Sequence, residues 1–487
     1  MVNSADYAPS KAFETLGAPS GAPFWDAVAA AEFPKSILRF RNDRWATRVG
    51  LGDLDDAAWL AHFARFEPLP DNIERPLAVR YHGHQFRSYN PEIGDGRGFL
   101  FAQLFDGEGR LLDLATKGSG QTPYSRFGDG RLTLKGGVRE LLATEMLEAL
   151  GVYTSKTFSL IETGEALHRG DEPSPTRSAV MVRLGHSHVR FGAFQRLASE
   201  GDTAAIGALI DYCIRHFDPD LAASPMEKKT AAFFHRVVAR SARLAAQWMA
   251  AGFVHGVLNT DNMNVTGESF DYGPWRFLPT MDPSFTAAYF DQTGLYAYGR
   301  QPDAVMWNLS RLGGVLLALS NEDALNTALQ DFGAQFERAM ADAFFARLGL
   351  ARAEGRNDAD YALVSDLMQW LHKTDAPFEQ VMFDLFGGAA GEARRARSPL
   401  AALYGDSGFE PISGKMKDIE PDRPARLDHA YFQGERPCGM LIDEMEALWA
   451  PIADADDWAP LEAKIDAIRA MGAAYDFAPS VYEKGKS

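Results

Sequence analysis

The chain has 487 residues, 46% of them apolar and 24% charged, a composition that folds and that, at this length, calls for more than one packed substructure. With 49 basic against 66 acidic residues the net charge is −17, which argues against nucleic acid or an anionic membrane as the main partner. Two cysteines, Cys213 and Cys438, are too few for a disulfide framework and fit a reducing, cytoplasmic setting. The amino-terminal stretch reads as neither export signal nor transit peptide, and no run reaches the ~18 apolar residues of a membrane span.

In chain order, residues 1 to 90 mix Pro, Gly and aromatics with short helical patches such as LDDAAWLAHFARF and read as an irregular wrap ending in RYHGHQF. From Gly98, GFLFAQLF and RLLDLATK are strand-length apolar runs joined by DGEG, a hairpin turn composition. The spacing of Val138, Leu142, Met146 and Leu150 predicts a helix closed by Gly151. KTFSLIET and SAVMVRL read as two more strands. Beyond residue 200 the periodicity is helical, interrupted by HGVLNTDNMNVTGESFDYG, read as a short hairpin, and two further helical patches close the chain, CGMLIDEMEALW and LEAKIDAIRAMG.

A small sheet with one helix, then a helical part with a polar cluster at its start, is the layout of a protein kinase. The fold class expected is therefore α+β, bilobal and kinase-like: an extension over 1–90, a β-rich lobe over 91–200, a helical lobe over 201–390, and a carboxyl-terminal helical extension over 391–487. Lys117 ends the second strand of the hairpin, where an ammonium can meet phosphate oxygens, and Glu140 on the helix can fix it by an ion pair. Asn262 and Asp271 offer hard oxygens of the kind Mg²⁺ takes alongside substrate phosphates, and Asp271 opens DYG, similar to the metal-binding DFG of kinases. GDGRG, with Gly94, Gly96 and Arg97, and SRFGDGR, with Asp129 and Gly130, are loops whose amides can approach phosphate. Arg183 and Arg190 carry guanidinium forks suited to phosphate. Taken singly, each of these cations reads as a solvated surface charge, and each Asn or Asp as a turn residue. His82, His84, His186, His188 and His255 lack the spacing of zinc sites, and a histidine metal centre is the weaker rival.

KGSGQTPYSRFGDGR, VRELLATEMLEALGV, VRLGHSHVRFGAF and HGVLNTDNMNVTGESFDYGP, in that order, closely resemble the YdiU/selenoprotein O family. The resemblance implies a kinase-like fold that binds ATP in a flipped orientation and transfers AMP to Ser, Thr or Tyr hydroxyls of proteins, with UMP transfer as an alternative. It implies that Gly94, Gly96, Arg97, Lys117, Asp129, Gly130, Glu140, Arg183 and Arg190 hold the nucleotide, that Asn262 and Asp271 take Mg²⁺ or Mn²⁺, and that Asp261 is the proton acceptor. The family's carboxyl-terminal cysteine or selenocysteine has no counterpart in the closing YEKGKS. An ordinary kinase and a catalytically silent nucleotide-binding scaffold are the other readings.

Overall fold

A computed structural model describes residues 5–170 and 172–477; the closing YEKGKS lies outside the described residues. Its strands are β1 (Pro9–Ser10), β2 (Trp25–Ala27), β3 (Ile37–Arg41), β4 (Leu77–Val79), β5 (Gly83–Gln85), β6 (Ser88–Asn90), β7 (Leu100–Phe105), β8 (Leu111–Lys117), β9 (Leu132–Thr133), β10 (Lys156–Leu167), β11 (Thr176–Gly185), β12 (Phe253–His255) and β13 (Trp275–Phe277). A 9-stranded sheet runs β2-β4-β7-β8-β11-β10-β3, with β1 added to β7 and β9 to β11. The expected hairpin and strand pair are its centre: β7 pairs antiparallel with β8, β8 with β11, and β11 with β10. Every residue of β8 is buried, because this strand is covered on both faces, and its apolar run shows no alternation for that reason.

The first 90 residues are more ordered than an irregular wrap. They supply β1, β2, β3 and β4 to the same sheet, and the helix Asp56–Phe63 lays Trp59 and Phe63 on its outer face, with Trp59 stacked on Phe158 at 5.0 Å. Three-residue strands carry too little periodicity to be seen in sequence.

The helix Leu134–Ala149 crosses the inner face. Its start is capped by the Thr133 hydroxyl, which accepts from the Gly136 N–H at 3.1 Å, and Gly151 just past its end takes φ +80°, the left-handed conformation that ends helices. Helices dominate from Thr203 onward, the longest being Met226–Ala250, and it packs against Phe332–Leu348. The chain then returns: the helix Ala459–Tyr475 lies on Leu134–Ala149, where Arg469 pairs with Glu145 at 2.8 Å. Among the described residues no helix is long and apolar enough to cross a membrane.

Candidate active site

Between the sheet and the helical part lies a cleft of about 550 Å³. Lys117, at the end of β8, and Glu140, on the helix Leu134–Ala149, are 4% and 1% exposed and form an ion pair inside it, not on the surface. The same ammonium donates to Asp271 Oδ1 at 2.7 Å. Arg183, next to last but one in β11, reaches Glu140 Oε1 at 3.2 Å and Asp271 Oδ1 at 3.4 Å. A buried charge survives only when paired and hydrogen-bonded, so these four groups hold one another.

Asp271 has φ +60°, a left-handed backbone that Asp tolerates better than most residues. Burial alone would raise its carboxyl, but Lys117, Arg183, Arg190 and Arg97 together hold it well below the usual carboxylate range. It is therefore an anion ringed by cations.

Arg190 is the N-cap residue of the helix Phe191–Ser199 and is 4% exposed. Its guanidinium lies between the rings of Tyr81 and Phe270, 4.5 and 4.9 Å from their centroids, and donates to the Asp261 carbonyl at 3.0 Å and to Asp95 Oδ1 at 3.3 Å. Asp95 is the residue sequence reasoning passed over inside GDGRG. Its other oxygen faces His188 Nε2 at 2.9 Å and accepts the Val79 N–H at 3.1 Å; His188 in turn donates its backbone N–H to Asp113 at 2.7 Å. Asp95 was readable only as a loop residue because its partners are about 93 to 95 positions away.

The glycine-rich loops form the cleft's rim and close on each other. A Cβ on Gly94 would lie 2.4 Å from the Tyr124 ring, and one on Gly130, at φ +70°, 2.2 Å from the Gly120 carbonyl. Gly96 and Arg97 line the same rim. Asp129 accepts from Arg169 at 3.0 Å and from the Arg131 N–H at 3.0 Å, so it steadies two more cations at the mouth.

Asp261 and Asn262 sit in a 3-10 turn, Thr260–Asn262, and Asp271 in irregular chain. The pair β12–β13 brackets them, so the expected hairpin is present but its residues ride on the long connection, not on the strands. Asn, Asp and Thr bond nearby backbone in preference to a strand ladder. Burial pushes the Asp261 carboxyl up to about 6 against the pull of Arg190, and its Oδ1 is buried with no hydrogen-bond partner. Gly83 of YHGHQF approaches it so closely that a Cβ would lie 2.8 Å from Oδ1. The Asn262 amide nitrogen donates to the Val257 carbonyl at 3.0 Å, which fixes the amide plane. Glu140 is buried beneath the cleft and Asn262, half-buried, lies outside its lining; the other ten residues expected at the nucleotide and metal site line it.

Asn262 and Asp271 give two hard oxygen donors, and Asp261 Oδ1 is an unsatisfied third. Among the described residues no group of three His, Cys, Asp or Glu side chains forms a self-sufficient metal cage. By donor type, a carboxylate and an amide oxygen are ligands that a divalent ion accepts when phosphate oxygens and water supply the rest; Asp271 lines the cleft and Asn262 lies outside its lining.

A cationic cleft inside an acidic protein, with one unsatisfied carboxylate, suits the class of proteins that act on phosphate-bearing substrates. A family model described as Protein adenylyltransferase SelO matches residues 8–469, and the chain belongs to that family, as the motifs led one to expect. It is similar to Protein nucleotidyltransferase YdiU of Trichodesmium erythraeum, 48% identical over 469 residues, covering 90% of this chain and 94% of the relative. The YdiU of Synechocystis sp. is 44% identical over 453 residues, with 90% and 94% covered, and that of Mycobacterium sp. (strain KMS) 35% over 454, with 90% and 89% covered. The chain is accordingly an enzyme of the nucleotidyltransferase class, for which ATP is the substrate the family implies.

Proposed function

We propose that this enzyme transfers AMP from ATP to Ser, Thr or Tyr hydroxyls of other proteins, within a kinase-like arrangement whose β-rich part spans about 91–200 and whose helical part spans about 201–390. The observation that carries this reading is the cleft: Lys117, Arg183 and Arg190 converge on it in a protein of net charge −17, which suits a polyphosphate whose charge must be neutralised.

In the reaction the acceptor oxygen attacks the α-phosphorus. An O–P bond forms, the α–β bridging P–O bond breaks, pyrophosphate leaves, and the hydroxyl proton passes to the Asp261 carboxylate. Asp261 suits that task because its Oδ1 is uncommitted and desolvated. Lys117, held by Glu140, and Arg183 neutralise the phosphate chain; Arg190, held by Asp95 and two aromatic rings, adds a positive charge whose position is fixed before substrate arrives. Asn262 and Asp271 are the residues that would hold Mg²⁺ or Mn²⁺, which when bound polarises phosphoryl oxygens. The glycine rim, with Gly94, Gly96, Arg97, Asp129 and Gly130, closes over the nucleotide. A cytoplasmic location fits the two cysteines.

ATP labelled at the α-phosphate, incubated with the enzyme, divalent metal and acceptor protein, tests the reaction class. Label retained on protein is expected; incorporation from γ-labelled ATP alone would make the enzyme a kinase instead.

A further inference from the structure

The hairpin β5–β6 meets the cleft through Gln85, and its far end is a strained turn beside the segment that carries Asp261. Gln85 pairs with Ser88, so Phe86 and Arg87 are the whole connection, and both have positive φ, 49° and 66°. A two-residue turn of this hand favours Asn-Gly; a Phe-Arg pair there is strained and persists only where the surroundings enforce it. Those surroundings are the turn that carries Asp261. The Phe86 N–H donates to Asn259 Oδ1 at 3.1 Å, the Tyr296 hydroxyl donates to the same oxygen at 2.7 Å, and the His84 N–H donates to Thr260 Oγ1 at 2.7 Å.

What the turn displays is apolar and cationic. Phe86 is 39% exposed and its ring packs 5.9 Å from Phe290, itself 45% exposed and 5.2 Å from Tyr289, which is 85% exposed. Beside them the guanidinium groups of Arg87 and Arg311 lie 5.6 and 5.3 Å from the Trp307 ring. Neither arginine forms an ion pair among the described residues, although the chain carries 66 acidic residues against 49 basic. Contiguous exposed aromatics are seldom left open to water without a partner, and unpaired arginines beside them call for an acidic one.

We propose that Phe86, Tyr289 and Phe290, with Arg87 and Arg311, form the docking surface for the acceptor protein, and that they select a segment with an aliphatic or aromatic residue and an acidic residue close to the modified hydroxyl. This rests on the AMP-transfer reading and adds the substrate preference to it. The distance suits an extended segment: Asn259, to which the patch is bonded, is two residues from Asp261, a span of at most about 7 Å. An extended segment rises about 3.3 Å per residue, so a hydroxyl presented to Asp261 has neighbours a few positions away that reach Phe86, the aromatic bonded to Asn259.

The test uses the full chain with α-labelled ATP, Mn²⁺ and peptide libraries randomised around a central Ser, Thr or Tyr. The wild type is expected to select apolar and acidic residues near the centre. Phe86→Ala/Phe290→Ala is expected to flatten the apolar selection and lower kcat/KM for the best peptide about tenfold, with ATP affinity unchanged; Arg87→Glu/Arg311→Glu is expected to reverse the acidic preference. A wild-type enzyme without selection, or selection that the variants leave intact, would overturn the surface while the transfer reading stands. No α-label on any peptide would overturn both.

Discussion

Asp261 has a carboxylate oxygen that nothing in the described protein satisfies, and leaving a buried acceptor unpaired is costly unless a substrate or ion completes it. Asp261→Asn keeps the shape and removes the carboxylate proposed as the proton acceptor. Label transfer is expected to fall about 10² to 10⁴-fold with nucleotide affinity retained, as read by single-turnover labelling beside equilibrium binding; a variant of near wild-type rate would assign the base elsewhere. Asp95 holds Arg190 in place through its Oδ1, which makes it a positioning residue in the proposed reaction. Asp95→Asn weakens the charge that positions Arg190, so KM for ATP is expected to rise severalfold with a smaller change in kcat, whereas a merely structural role would lower thermal stability and leave KM alone. That Lys117, Asp261 and Asp271 would meet in one cleft was readable because chemistry concentrates such types in short motifs. Asp95 was not, because its meaning resides in contacts with residues about 90 positions distant.

At the level of elements, the central strands and the helix Leu134–Ala149 were readable because burial writes a period into the sequence. The helix positions Glu140 beneath Lys117, and its register is set at the start by Thr133. Thr133→Ala removes that cap and is expected to cost about 1 kcal/mol in chemical denaturation, with label transfer little changed, since the helix is also held by its buried face. The strands before residue 90 escaped notice for the opposite reason: most have two or three residues and the longest, β3, has five with no buried position, so none writes a clear period, and they become strands only because a sheet is there to receive them. The same holds for the turn Thr260–Asn262, three residues closed by the Asn262 N–H donating to the Asn259 carbonyl at 3.0 Å, too short to write a pattern.

Across the whole molecule, the acidic surface and the cationic cleft are separate populations of charge, and pH acts on them separately. Glu268, on the connection between β12 and β13, is buried; burial pushes its carboxyl up to about 7 despite the nearby Lys156 ammonium. The folded state then binds more protons than the unfolded one between about 4.5 and about 7, so this group's contribution falls as pH rises through that window. Relative to Glu268→Gln, the wild type is expected to lose on the order of 3 kcal/mol of unfolding free energy between pH 4.5 and pH 8, read from denaturant midpoints of both proteins at each pH. Parallel pH profiles for the two would show that Glu268 titrates normally.

The central claim is that the cleft delivers the α-phosphorus of ATP to a hydroxyl beside Asp261. Intact mass spectrometry of the enzyme and an acceptor protein, after incubation with ATP and Mn²⁺, tests it most directly. A gain of one AMP on the acceptor, absent with Asp261→Asn, is the expected result; a gain of one phosphate, or AMP attached equally well by Asp261→Asn, would contradict it.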